Sequence, residues 1–258
     1  MSSPTLQAAI RDLVTANRIL GEEGVVDAFG HISVRHPDRA DRYLLARSRS
    51  PSVVTEEDIM EYDLDSNPID QRGRIIYAER FIHGALFKAR ADVMSVCHSH
   101  AHTVIPFTVT GTPIRPLWVL AAPIGQEVPI WDIRDDFPND DEIMVTNNEA
   151  GLSLAKALGR GGACMMRGHG AAIATKDLKL TVIASIALML NAKMQLEASV
   201  LTMNSGRPIK YLSDGEAGKL VDTMMMPRGL HRSWEYWAAR AGRTTDVNAV
   251  KNSATAPQ

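Results

Sequence analysis

His98 and His100 stand two positions apart at the end of an apolar run, residues 93–97. If that run is a strand, its period of two sends both imidazoles out of the same face. Two rings set that way can ligate one cation, and a third ligand must arrive from elsewhere in the fold. His169 is the candidate, because Gly168 and Gly170 on either side allow a sharp turn and a close approach to another strand. Three neutral imidazoles with coordination positions left open suit a catalytic rather than a structural cation. A His-x-His pair alone is a weak signal, since it also makes an ordinary polar strand end. His102 follows two positions on, but a helix can begin there, and it is read as a bystander. Cys97 alternates away from His98 and is expected to be buried rather than ligating. Glu79, twenty residues upstream, reads on pattern alone as an acidic first-turn residue favoured by a helix dipole.

Several elements must position these groups. Leu6, Ile10, Leu13, Val14 and Ile19 recur at helical spacing, and Gly21 with Gly24 closes that helix. Residues 30–35 and 43–46 read as strands around a Pro-Asp turn. Thr55 with Asp58 resembles an N-cap leading into a strand over 60–64, and 65–73 is a loop. Phe81, Ile82, Leu86 and Phe87 return to helical spacing over 79–88. The proline-rich region 111–141 predicts short strands and loops. Asn147 or Asn148 caps a helix that Gly159 stops. Residues 163–167 and 171–175 form two strands joined by Gly168-His169-Gly170. Asp177 caps the longest helix, which runs to about residue 204 before Gly206.

The composition excludes several functional classes. A hydrophobic content of 45% and a charged content of 22% are ordinary for a globular protein. A net charge of −2 without a run of Lys and Arg gives no reason to expect nucleic acid. The start Met1-Ser2-Ser3-Pro4 lacks the charged lead and apolar core of a signal peptide. The most apolar stretch, residues 180–190, is too short to span a bilayer. Cys97 and Cys164 do not make a disulfide framework. The expectation is a cytoplasmic protein that binds neither membrane nor nucleic acid. With no repeat, low-complexity block or linker between residues 5 and 240, one α/β domain over 1–243 is expected. Residues 244–258, rich in Thr, Asn, Ala and Ser, are expected to form a loose tail.

Four separated motifs occur in register: Gly30-His31-Ile32-Ser33, Glu79 with His83 four residues on, His98-Ser99-His100, and Arg167-Gly168-His169-Gly170. Their order and spacing resemble the class II aldolase/adducin family over roughly residues 6–240. The resemblance implies a three-layer α/β/α domain around a mainly antiparallel sheet, and a homotetramer with active sites between subunits. It implies that His98, His100 and His169 bind one divalent cation per subunit, Zn2+ or Mn2+, with Glu79 as the proton-transfer residue. It also implies that the segment 231–237 reaches toward a neighbouring subunit's site, where Tyr236 is a candidate proton donor. Trp234 and Trp237 are expected to pack a terminal helix.

The departures from the family's sugar-phosphate aldolases concern the substrate. Those enzymes carry Gly-Asn-x-Ser where this chain has Gly30-His31-Ile32-Ser33, and a Ser-Ser pair before the glutamate where it has Tyr77-Ala78. The change removes hydroxyl donors for a phosphate and adds an aromatic ring. A Pro-Ser-Gly turn of relatives is replaced by Arg47-Ser48-Arg49-Ser50-Pro51. Arginine offers a planar fork suited to carboxylates, although Arg47 and Arg49 read equally well as solvated loop charges. His31, Arg47, Ser48, Arg49, Ser50 and Tyr77 are therefore the substrate-binding candidates. These changes resemble the family's aromatic-acid decarboxylases. They imply a lyase that decarboxylates a hydroxylated aromatic or heteroaromatic dicarboxylate, such as 3-hydroxy-2-methylpyridine-4,5-dicarboxylate of vitamin B6 degradation. Glu79, its pKa raised by burial, would then give a proton to the ring carbon that loses CO2. The alternatives are an aldolase or epimerase acting on an unphosphorylated sugar, and a non-catalytic adducin-like module.

Overall fold

Alternation of apolar side chains along the strands decides how the layers stack. In a computed structural model, which describes residues 3–139 and 143–244, one sheet runs through the molecule. Its strands are β1 (His31–Arg35), β2 (Arg42–Ala46), β3 (Ile59–Asp63), β4 (Ser95–Ser99), β5 (Ile130–Trp131), β6 (Ala163–Met166) and β7 (Gly170–Thr175). Their spatial order is β3-β2-β1-β4-β7-β6-β5. All neighbours pair antiparallel except β5 and β6, as the mainly antiparallel expectation requires. The helices are α1 (Pro4–Glu22), α2 (Phe81–Ala89), α3 (Ile105–Thr110), α4 (Ile133–Asp136), α5 (Asn148–Leu158), α6 (Leu178–Ser205), α7 (Asp214–Met225) and α8 (Pro227–Arg240).

Every residue of β1, β4 and β7 is buried, so the centre of the sheet is covered on both sides. Ile32, Val34, Cys97, Ala171 and Ile173 pack toward α1 and α6 on one face. Tyr43, Leu45, Val96, Ala172 and Ala174 face α2 and α5 on the other. The three-layer α/β/α arrangement follows. His31, Ser33 and His98 have the parity of the second face, and Cys97 has that of the first, where burial pushes its thiol up to about 12.

The helix ends follow local capping. The Asn147 side chain accepts from the Ala150 amide at 2.9 Å, which settles the start of α5. Asp177 accepts from the Lys179 and Leu180 amides at 2.8 and 3.0 Å, and Gly206, with φ 65°, ends α6. Gly21 lies inside α1, and Gly24 makes the turn in the left-handed region. Glu79 is not in the first turn of α2. It sits one step before it, in a 3-10 turn over Ala78–Arg80 with φ −91° and ψ 21°. That bridge conformation is sparsely allowed and frequent at active sites. Among the described residues, the region 111–139 contains one short strand, as expected, but also a 3-10 segment over Val119–Ile124 and α4.

The apolar character of α6 extends beyond residues 180–190. An 18-residue window within Leu178–Met203 has a mean hydropathy of 1.2, and the helix has the length to cross a bilayer, yet 67% of that window is buried, much of it against the sheet and α1. It is the core helix of the first layer. Residues 245–258 of the expected tail lie outside the described residues.

Two glycines bring β7 against β4. Gly168 takes φ 65°, and a Cβ on Gly170 would overlap the Ser99 carbonyl oxygen. Gly170→Ala is therefore expected to cost about 2–3 kcal/mol, as overpacking does, and to lower Tm by roughly 5–10 °C in a chain of this size. Calorimetry on the variant checks this, and an unchanged Tm would mean that the two segments are not in close contact.

Candidate metal centre

The β1–β4 register sets His31 directly opposite His98, and β7 places Ala172 on the other side of His98. His100 follows one pleat beyond, and the loop between β6 and β7 folds His169 back over both. The Nε2 atoms of His98 and His100 are 2.9 Å apart. Nε2 of His98 lies 3.5 Å, and Nε2 of His169 3.2 Å, from the same Glu79 oxygen, Oε2. One ligand atom from each of the four residues falls within 4.8 Å of all the others.

The opposite ring nitrogens are held by oxygen. Nδ1 of His98 faces the Ala171 carbonyl at 3.2 Å, Nδ1 of His169 the Ile143 carbonyl at 2.9 Å, and Nδ1 of His100 the Asp27 carboxylate at 3.2 Å. Each ring thus donates its Nδ1–H outward and turns the Nε2 lone pair inward. Lone pairs facing at 2.9 Å repel unless a cation lies between them. Nitrogen donors on one cation at the usual ~2.1 Å sit roughly 3 Å apart when adjacent, so these residues fit a divalent ion. Burial, then the neighbouring His98 and His169, pushes His100 down to about 4, which keeps it in the ligating form at neutral pH. Asp27 also accepts from the Phe29 and Gly30 amides, tying the start of β1 to His100.

Glu79 is buried, and its Oε1 accepts the Val145 amide at 2.9 Å. Burial raises its pKa as the sequence suggests, but positive charge in the facing cluster, carried by His98 and His169 when protonated or by a cation in their place, outweighs it and holds the carboxyl below the usual range. The expectation of a raised pKa is corrected: the resting group is a carboxylate.

A cavity of about 430 Å³ opens beside this cluster, lined by Phe29, His31, Ser48, Tyr77, Glu79, His100, Met144 and His169 among others. Of the substrate-binding candidates, the structure brings His31, Ser48 and Tyr77 into the wall. Tyr77 packs its ring 4.5 Å from that of His31, while its hydroxyl bonds the Arg49 carbonyl. Arg47 and Arg49 lie outside the lining and clasp Asp58, with Arg47 Nε at 2.6 Å and Arg49 Nη1 at 2.9 Å. Ser50 precedes the 3-10 turn Pro51–Val53 and is also outside the lining. Tyr236, on α8, is 60% exposed and stands apart from this cavity, while Trp234 and Trp237 are buried against the first layer.

The family model for the Class II Aldolase and Adducin N-terminal domain matches residues 11–196. The chain belongs to this family. Decarboxylase tropJ of Talaromyces stipitatus is 29% identical over 246 residues, covering 88% of this chain and 92% of that protein. A 3,4-dihydroxyphthalate decarboxylase of Terrabacter sp. is 26% identical over 200 residues, covering 74% of this chain and 81% of the relative. An L-fuculose 1-phosphate aldolase from Glaciozyma antarctica superposes with a TM-score of 0.71 at 19% identity, over 98% of this chain and 95% of that one. That likeness shows the class II aldolase fold.

Several residues of this class II aldolase site had no assigned role in the sequence. Asp27 orients His100 across a separation of 73 residues, and no spacing rule connects them. Val145 and Ile143 act through backbone atoms, which side-chain type does not reveal. Ile143 carries φ 53°, unusual for a β-branched residue. His83 and Ser33 stand in the family motifs but form a hydrogen-bonded chain behind His31.

Each of His98→Ala, His100→Ala and His169→Ala is expected to lower the Zn2+ or Mn2+ retained after dialysis, with the fold intact by circular dichroism. Asp27→Ala should weaken metal affinity about 10–100-fold, the usual effect of losing an outer partner. Mass spectrometry of bound metal reads both, and full occupancy in all three histidine variants would contradict the assignment.

Asp58 anchors the loop that carries Ser48. Burial opposes its charge, but the Thr55 amide, Arg47 and Arg49 lower its pKa from 3.8 to about 2. Its stabilisation is complete above 3.8 and is lost as pH falls toward about 2. Asp58→Asn should therefore remove on the order of 2 kcal/mol at neutral pH and flatten the Tm profile between those two values. Melting curves against pH check it; a profile identical to wild type would refute the coupling.

Proposed function

We propose that this chain is a divalent-metal-dependent carboxy-lyase acting on a hydroxylated aromatic or heteroaromatic dicarboxylate. The observation that carries the reading is a three-histidine, one-glutamate cluster opening onto a cavity walled by the rings of Tyr77, His31 and Phe29. A planar ring fits such a wall better than a sugar, and Ala78 offers no hydroxyl to a phosphate. Relatives named as decarboxylases, one of them for 3,4-dihydroxyphthalate, support the same reaction class. 3-Hydroxy-2-methylpyridine-4,5-dicarboxylate is the first substrate to test.

His98, His100 and His169 would hold a divalent cation, Mn2+ or Zn2+, which would supply Lewis-acid polarisation of a ring oxygen beside the scissile carboxylate. The residues of the chain do the rest. Tyr77 and His31 hold the ring plane, and Ser48 is placed to donate to a second acid group. Glu79, resting as a carboxylate, takes the proton of the ring hydroxyl on Oε2. The bond between ring carbon and carboxyl carbon breaks, CO2 leaves, and the electron pair stays with the ring. Glu79 returns the same proton to that carbon, so hydroxy acid becomes CO2 and a ring carrying hydrogen at the vacated position. The lowered pKa leaves Glu79 ionised at rest but makes it a weak base, so loading of its acid form requires a ring hydroxyl that is itself acidified.

Phe29 and Ile75 are 71% and 73% exposed, the former at the rim of the cavity. This supports a homotetramer whose subunits cover one another's sites, with the exposed Tyr236 reaching a neighbour. A single domain over 1–243 completes the reading.

Glu79→Gln should keep the fold and most of the metal and lose two to four decades in kcat, about what removal of a general acid–base residue costs. The assay is CO2 release from hydroxylated mono- and dicarboxylic aromatic acids with Mn2+ or Zn2+ added. A wild-type enzyme that cleaves unphosphorylated sugars and releases no CO2 from any of these acids would overturn the proposal.

A further inference from the structure

Behind the cavity wall, three side chains from β1 and α2 form a line that the proposed reaction does not yet use. His31 Nδ1 lies 2.7 Å from His83 Nε2, and His83 Nδ1 lies 2.6 Å from Ser33 Oγ. All three residues are buried, at 2%, 0% and 0% exposure. The Ser33 hydroxyl has the Val96 carbonyl as its acceptor, at 3.4 Å. A hydroxyl that donates there receives its second bond from His83 Nδ1–H. His83 then offers the lone pair of Nε2, and His31 must donate Nδ1–H to it. Two neutral rings with one hydrogen each leave His31 Nε2 bare, and His31 is part of the cavity wall beside Glu79, His100 and Tyr77.

We propose that His31 is a specificity-determining acceptor: its Nε2 lone pair, fixed by Ser33 and His83, receives a hydrogen bond from a second ring hydroxyl of the substrate, beyond the one that Glu79 deprotonates. The inference rests on the hydroxylated aromatic acid reading and deepens it. A lone pair accepts a neutral O–H and repels an anionic oxygen, so this position selects a hydroxyl and turns away phosphate or carboxylate. His83 and Ser33 are positioning residues that act through His31. A ring flipped to the other tautomer would present N–H and reverse the preference.

Calorimetric binding to the Zn2+-loaded protein with 2,3-dihydroxybenzoate and with salicylate tests this, since the pair differs by one hydroxyl. Wild type should bind 2,3-dihydroxybenzoate about three- to tenfold more tightly, the worth of one neutral hydrogen bond. His31→Phe and Ser33→Ala should bring that ratio toward one with metal content unchanged, and Ser33→Thr should keep the ratio. A wild-type ratio near one, or a ratio unchanged in His31→Phe, overturns the proposal. Long-range 1H–15N correlation spectra of the unmutated protein give a second reading that needs no variant to fold. His31 and His83 are both expected as Nδ1–H tautomers, and His31 as Nε2–H would equally overturn it. Neither measurement depends on turnover, so failure of the CO2 assay and failure of this inference are separable.

Discussion

Three imidazoles turn their Nε2 lone pairs toward one point, and the surrounding structure can be understood as what keeps them there. The arrangement is electrostatically unfavourable by itself, with Nε2 atoms of His98 and His100 at 2.9 Å. It is held because each Nδ1 is engaged by an oxygen from a different part of the chain: β7, the loop before β1, and the segment after residue 142. The antiparallel register of β1, β4 and β7 fixes the first of these, and the close approach of Gly170 to Ser99 fixes the loop that carries His169. Strand pairing therefore fixes His98 directly, while His100 and His169 are held just beyond the strand ends.

What was legible in the sequence was whatever depends on local periodicity. The same-face placement of His98 and His100, the opposite orientation of Cys97 and the capping of α5 and α6 follow from spacing and side-chain type. The glycines around His169 are legible for the same reason, since few residues tolerate φ 65° or a carbonyl pressed against Cα. The rest depends on which distant groups meet. Arg47 and Arg49 looked like carboxylate receptors, and they are, but the carboxylate is Asp58 of their own loop. Burial of Glu79 was foreseeable; that two histidines facing it would reverse the sign of its pKa shift was not. The start of α2 was placed one residue group too early because helical spacing does not register the turn at Glu79.

The same fold occurs in an L-fuculose 1-phosphate aldolase, and here it carries a cavity walled by Phe29, His31 and Tyr77. Such versatility is expected where a rigid sheet presents a cation and a proton carrier while the wall residues choose the substrate. In this chain the wall is aromatic and imidazole-rich. Tyr77 uses its hydroxyl to brace the 47–50 loop, so its contribution to the cavity is a ring face. His31 lies across from His98 in the register, which puts the cavity wall beside the three-histidine cluster.

X-ray absorption at the zinc edge of the Zn2+-loaded protein tests the central claim most directly. Convergence of His98, His100 and His169 predicts a light-atom shell at about 2.0–2.1 Å, with outer scattering from three imidazoles that falls to two in His169→Ala. A shell with no imidazole scattering, or one that His169→Ala leaves unchanged, would contradict it.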